Sequence, residues 1–90
     1  MKVVWTDRAL REVAATFAYQ AAENAAAATR LADRLLHAGD ALALHPRLGR
    51  PADGGRRLLV VERFVLIYRL VGDEVRILRV VHGSRRRYVQ

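Results

Sequence analysis

The chain has 90 residues, no cysteine, and 16 basic against nine acidic residues, which gives a formal net charge of +7. This length predicts one small domain over residues 1–90, and the lack of cysteine excludes disulfides and thiolate metal sites. The longest charge-free run, Val13–Ala22, is too short for a transmembrane helix, which needs about 20 apolar residues. Charged residues also interrupt Met1–Glu12, where a secretion signal would be apolar. We therefore expect a cytoplasmic protein without a membrane segment.

The first predicted elements are a strand at Val3–Trp5 and a helix that follows it directly. Thr6 suits the N-cap, because its hydroxyl can accept a hydrogen bond from a free amide of the first turn. Asp7 then lies favourably near the positive end of the helix dipole. The apolar residues that follow recur at helical spacing and predict one core-facing stripe, formed by Leu10, Val13, Ala14, Phe17, Ala18 and Ala21.

A second helix is predicted after Asn24, which is a suitable N-cap. Gly39 should weaken this helix by about 1 kcal/mol relative to alanine. The helix should end at His45, because the residue before a proline is disfavoured in the α conformation. Its core-facing stripe would consist of Ala28, Leu31, Leu35, Ala38 and Leu42.

The second half of the chain predicts a loop and then a sheet. Pro46–Gly55 is rich in proline and glycine, which favours the loop. Gly72-Asp73 is typical of a tight hairpin turn between the last two strands. The three strands are predicted at Arg57–Val61, Arg63–Val71 and Glu74–Val81. Together the elements predict an α+β fold of order β-α-α-β-β-β, with a two-helix hairpin on one face of a small, mostly antiparallel four-stranded sheet.

The predicted strands are apolar on both faces, so both faces need cover. Phe64 and Tyr68 share one face by the two-residue period of a strand. We expect that face to meet the helices through Phe17, Leu31 and Leu35. The opposite face would stay partly apolar with a rim of arginines, a pattern typical of a partner-binding surface. The alternative is that a C-terminal segment or a second copy of the chain covers it.

The net charge is concentrated in the second half of the chain. Residues 45–90 contain eleven arginines and four acidic residues, whereas residues 1–44 contain five basic and five acidic residues. A basic sheet beside a neutral helical half favours an acidic partner. The alternative is a solvated surface that reflects a coding preference for arginine.

Sequence motifs for catalysis and for cofactor binding are absent. Ser84 is not in a nucleophile elbow, and Gly54-Gly55 is not followed by the lysine of a phosphate loop. The three histidines lack metal-ligand spacing, so neither a metal nor a cofactor is expected. His82 is the best candidate for a catalytic acid or base, because it is followed closely by three arginines and Tyr88. Such a set would suit cleavage of a phosphodiester.

Three segments carry a resemblance to a known family: Leu42–Pro51 (LALHPRLGRP), Arg57–Arg69 (RLLVVERFVLIYR) and Val75–Arg85 (VRILRVVHGSR). Together with Val4-Trp5-Thr6 and Ala9-Leu10, they resemble the RelE/ParE superfamily of toxins from bacterial type II toxin–antitoxin modules. The resemblance covers nearly the whole chain. It implies a cognate acidic antitoxin that neutralises the toxin in a hetero-oligomer, with operator DNA bound indirectly through the antitoxin.

The resemblance implies one of two activities. RelE-like toxins cut mRNA on the ribosome, whereas ParE-like toxins, associated with plasmid stabilisation, inhibit DNA gyrase by binding it. In the nuclease branch an arginine stands three residues before the tyrosine of the central strand, where this chain has Val65 before Tyr68. A second basic position of that branch falls at Leu58. We therefore favour the ParE-like interpretation, with no catalytic residue and no cofactor.

The alternatives stay open at this point. A ribosome-dependent ribonuclease would use Arg56, His82, Arg85 and Tyr88. A nucleic-acid-binding module without toxicity is a third reading, although the low aromatic content argues against a stacking platform for single strands. In either toxin reading, the antitoxin or target is expected to contact Arg57, Arg69, Arg79, Arg85, Arg86 and Arg87.

Overall fold

The structure is a computed structural model that describes residues 1–84. It confirms the α+β fold, with two helices on one face of a mixed sheet whose strand order is β1-β5-β4-β3-β2. β1 is parallel to β5, and the other neighbouring strands are antiparallel. The elements are β1 (Lys2–Trp5), α1 (Asp7–Ala21), α2 (Ala25–Asp40), β2 (Arg50–Pro51), β3 (Arg56–Val61), β4 (Phe64–Val71) and β5 (Glu74–His82).

Over residues 1–84 the sheet has five strands, where the sequence predicted four. The additional strand is β2, a pair of residues within the predicted loop that aligns with Leu58 and Arg57 of β3. Such a short segment has no alternating pattern of its own, so only its pairing with β3 makes it a strand.

Both predicted helix caps are confirmed. The hydroxyl of Thr6 accepts a hydrogen bond from the Ala9 amide at 3.2 Å and donates to the Ile77 carbonyl at 2.8 Å. Asn24 accepts from the Ala27 amide at 2.9 Å. The predicted end at His45 was wrong by several residues, because α2 ends at Asp40 and a single 3₁₀ turn leads into the loop.

The face of the sheet toward the helices holds the main core. Phe64 and Tyr68 lie on this face with Leu31 and Leu35, as predicted, but Phe17 lies at the margin and is 39% exposed. The core is completed by apolar side chains from α1, the 3₁₀ turn after α2, β4 and β5, among them Ala9, Val13, Leu42, Leu66, Val75, Ile77 and Val80.

The predicted core-facing stripe of α1 was partly wrong, because the helix turns a different side toward the sheet than its apolar spacing indicated. Ala9 and Val13 are buried, whereas Leu10 and Phe17 are exposed. The reason is Glu12, whose carboxylate accepts a hydrogen bond from the Val80 amide at 2.9 Å on β5. A polar anchor on the inner side of the helix turns the predicted apolar stripe partly toward solvent.

Gly39 has a packing role that helix propensity does not reveal. A Cβ atom at this position would lie 2.2 Å from Trp5 Cζ2 and 2.7 Å from Ile77 Cδ1, so the glycine lets α2 approach the indole closely. The Trp5 indole also donates a hydrogen bond to Asp40 at 3.1 Å. The loss of helix propensity at Gly39 is therefore offset by contact between α2 and β1.

The sheet face turned away from the helices, here called the outer face, holds a second apolar cluster. Leu58, Val65, Ile67 and Val81 form it, and each is at most 3% exposed. Val60, farther along β3, is 66% exposed. The centre of the outer face is therefore apolar, as predicted, but its four apolar side chains are already shielded from solvent.

Candidate functional site

Three arginines lie side by side on the outer face, one on each of three neighbouring strands. Arg56 of β3 pairs with Arg69 of β4, and Arg69 pairs with Arg76 of β5. We call these three residues the arginine row. Like charges directly opposite each other on a sheet are destabilising, so their placement costs the fold stability.

The turn before β3 orients two of these side chains. Arg56 Nε donates to the Asp53 carbonyl at 2.9 Å, and Arg69 Nη2 donates to the Gly54 carbonyl at 2.5 Å. Gly54 has a φ of 71°, a left-handed conformation that favours glycine. A Cβ atom there would lie 3.8 Å from Arg69 Nη2 and 3.9 Å from Arg56 Nε. The two guanidinium groups therefore converge on one short turn.

The convergence is not balanced by carboxylates. The ion pairs within residues 1–84 join Arg34 to Glu62, Arg76 to Glu74 and Arg79 to Glu12, so neither Arg56 nor Arg69 has a carboxylate oxygen within 4.0 Å. The pair of Arg76 and Glu74 is long, at 3.6 Å. A groove of about 420 Å³ adjoins the row and is lined by Thr6, Arg8, Arg56, Ile67, Leu78 and Arg79.

Arg79, a predicted partner contact, has a partner within the chain. Its guanidinium donates three hydrogen bonds to the Glu12 carboxylate, at 2.8 to 3.1 Å. Burial raises the pKa of Glu12, but hydrogen bonds from Arg79 and the Val80 amide, with the positive charge of Arg79, outweigh that effect and lower the pKa below its ordinary value. Arg79 therefore ties α1 to β5.

Arg57, another predicted contact, holds the loop before β2. Its Nη1 donates to the Gly49 carbonyl at 2.8 Å and to the Arg47 carbonyl at 3.3 Å. The buried Tyr68 hydroxyl donates to the Pro46 carbonyl and accepts from the Gly49 amide, both at 2.8 Å. The sequence segment HPRLG is thus a loop anchored on Tyr68, and the only sequence signal for it was the spacing of its proline and glycine.

The predicted nuclease residues within residues 1–84 are Arg56 and His82, and the fold separates them. His82 pairs with Phe64 at one end of β4, whereas Arg56 pairs with Arg69 five residues farther along the same strand. Five residues of β-strand span about 16 Å. An odd separation also places the two side chains on opposite faces of the sheet. Arg85, Arg86, Arg87 and Tyr88 lie outside the described residues.

His82 lies in a different environment from the arginine row. Its ring contacts the ring of Phe64 edge to face, with centroids 5.3 Å apart, and its Nδ1 lies 2.9 Å from the Ser84 hydroxyl. It borders a cleft of about 750 Å³ between the helices and the turn after β3. Other residues that line this cleft are Thr16, Tyr19, Gln20, Leu31, Glu62 and Arg63.

Within residues 1–84, the structure contains neither a candidate metal site nor a candidate transmembrane helix. Residues 1–84 hold no group of three or more histidine and acidic side chains placed to bind one ion. None of the helices over the same residues has the length and hydropathy needed to cross a bilayer.

Comparison with known proteins identifies the family. The sequence model described as the ParE toxin of the type II toxin–antitoxin system parDE matches residues 3–87. The chain belongs to the ParE toxin family. Toxin RelE2 of Caulobacter vibrioides is 40% identical to it over 85 residues, which are 93% of this chain and 97% of that protein.

A solved structure supports the fold. The structure titled "Chromosomal ParDE TA system from P. aeruginosa" matches with a TM-score of 0.82 and covers 91% of this chain and 95% of that chain. Its sequence identity is 24%, so this likeness concerns the fold alone. The toxin is thus a member of the RelE/ParE superfamily, as the sequence predicted, and membership implies a cognate antitoxin.

Proposed function

We propose that this toxin acts in the cytoplasm by binding DNA gyrase and inhibiting it, without catalysis of its own. The separation of Arg56 from His82 carries this proposal. A general acid or base and a guanidinium that stabilises the developing anion must reach the same phosphate. Side chains on opposite faces, about 16 Å apart along a strand, cannot do so.

Two buried aliphatic residues support the same conclusion. Val65 and Leu58 occupy positions where the nuclease branch is expected to carry basic residues, and they are 2% and 3% exposed. Both belong to the apolar cluster of the outer face. Removal of a preorganised anion stabiliser typically lowers a rate by about 10²–10³-fold, so efficient RNA cleavage is not expected here.

The proposed antitoxin contacts follow from charge. An acidic antitoxin segment would meet Arg69 and the C-terminal Arg85, Arg86 and Arg87. Arg57 and Arg79 would contribute less, because each already has hydrogen-bond partners within the chain. The antitoxin would also provide the contact with operator DNA in the hetero-oligomer.

Two assays with the purified toxin test the target. We expect inhibition of gyrase supercoiling and no new mRNA cleavage on translating ribosomes. His82→Ala should leave both results unchanged, and His37→Ala, an exposed histidine on α2, is the matched control.

The name of the curated relative favours a second candidate, a RelE-like ribonuclease. Codon-specific mRNA cuts that disappear in His82→Ala or Arg85→Ala, but not in His37→Ala, would establish that candidate. The same result would overturn the gyrase proposal if supercoiling is unaffected.

A further inference from the structure

The arginine row is arranged for an oxyanion before any ligand arrives. Two of its guanidinium groups are held by adjacent carbonyls of one turn. A guanidinium has five N–H donors, so each keeps donors that these bonds do not use. Because the side chains are already oriented, a ligand would lose little conformational freedom in binding them.

Around the arginine row, the accessible part of the outer face favours phosphate over the aliphatic anchors of an amphipathic peptide. The four apolar residues of its centre are at most 3% exposed, so they offer no pocket for aliphatic anchors. What remains accessible beside the groove is mainly cationic, and Arg8, Arg69 and Arg76 are exposed. A phosphodiester backbone needs charge and hydrogen-bond donors but no apolar contact.

The same face favours a duplex over a single strand. Within residues 1–84, the apolar cluster and the arginine row of the outer face contain no aromatic residue. Single strands are usually held by bases that stack on aromatic rings. A duplex presents its phosphates outward. The row spans two strand spacings, about 10 Å, which is the axial rise of about three phosphate-to-phosphate steps on one DNA strand.

We propose that the arginine row, with Arg8 at the edge of the adjoining groove, is a binding site for the phosphodiester backbone of duplex DNA. The site would bind without sequence preference, because backbone contacts carry no base information. It does not depend on gyrase as the target, since the toxin alone would bind.

The test measures binding of the full-length toxin to a fluorescent 20-base-pair duplex by anisotropy between about 50 and 200 mM salt. Each phosphate contact contributes about 0.9 to the slope of log K against log salt. Arg69→Gln should therefore lower the slope by about 0.9 and weaken binding equally for unrelated sequences. Arg30→Gln on α2 removes the same charge from an exposed position away from the row and should change the slope much less.

A second variant separates geometry from net charge. Gly54→Ala retains every arginine but strains a turn that needs a φ of 71°, so it should displace both guanidinium groups and weaken DNA binding several-fold. Gly72→Ala is the matched control, because its φ is 60° and a Cβ there would meet nothing within 4 Å. Thermal melting of each variant checks that it is folded.

Three outcomes would overturn the proposal. Equal losses in Arg69→Gln and Arg30→Gln would mean that overall charge, and not the row, attracts DNA. Tighter binding of a single-stranded RNA of equal length than of the duplex would contradict the choice of ligand. The third outcome is measured by NMR from the Arg56 and Arg69 Nε–H resonances. If these resonances shift on addition of a peptide of alternating Glu and Leu, but do not shift on addition of the duplex, the row binds an acidic protein segment instead. None of these measurements contains gyrase, so their failure is distinct from failure of the supercoiling assay.

Discussion

The two faces of the sheet use the same strands for different purposes. The inner face carries large apolar side chains that pack against the helices. Leu66, Tyr68 and Ile77 are fully buried there. The outer face is apolar at its centre, but at one end it places Arg56, Arg69 and Arg76 next to one another. The inner face therefore contributes stability, and the arginine row reduces it, as is common where a surface serves recognition.

The largest expected effect is on the inner face. Phe64→Ala should lower the free energy of unfolding by about 3 kcal/mol, the lower end of the range for a core phenylalanine, because its ring is partly buried against the main core. Phe17→Ala is the matched control, since Phe17 is 39% exposed outside the core cluster, and it should cost clearly less. Urea denaturation of both variants measures the difference. Equal losses would mean that Phe17 belongs to the core after all.

A smaller effect is expected where the inner face holds the loop. Tyr68→Phe removes the hydroxyl that joins the Pro46 carbonyl to the Gly49 amide. It should cost about 1–3 kcal/mol, because these groups lose a buried partner. Hydrogen exchange of the Gly49 amide should become faster in the variant. An unchanged exchange rate would show that the loop does not depend on this bond.

The link between α1 and β5 should make stability depend on pH. The pKa of Glu12 is lowered in the folded state. Its contribution is therefore present above the pKa of the unfolded chain and is lost as pH falls through the folded value. Below the ordinary value of 4.5, the free energy of unfolding should fall less steeply in Glu12→Gln than in the parent, as measured by urea denaturation from pH 7 to pH 3. Glu23→Gln, at an exposed position between the helices, is the control, and an equal change in it would refute the assignment.

The smallest effect concerns the outer face and has the opposite sign. Arg76→Gln should raise the free energy of unfolding by about 0.2–1 kcal/mol, because it removes a like charge opposite Arg69. The gain should shrink at 1 M salt, where screening acts over about 3 Å. Melting temperatures at low and high salt measure it. A loss of stability at low salt would mean that the 3.6 Å pair with Glu74 outweighs the repulsion.

Local patterns were sufficient for both helix starts, for four of the five strands within residues 1–84 and for the family. Thr6 and Asn24 mark the helix starts, since capping is an interaction between residues three apart. The two-residue period placed Phe64 and Tyr68 together, and the order of the motifs indicated the RelE/ParE superfamily. The arginine excess in residues 45–90 was equally visible, but not which arginines already had partners.

Tertiary structure decided the rest, because the interactions responsible join residues distant in sequence. Glu12 rotates α1 through contacts with Arg79 and Val80, more than sixty residues away. Gly39 accommodates Trp5, and β2 exists only through pairing with β3. Register across the sheet brings Arg56, Arg69 and Arg76 into a row and places His82 on the other face. The composition of the chain specifies how many charges it has, whereas the pairing of strands determines which of them act together.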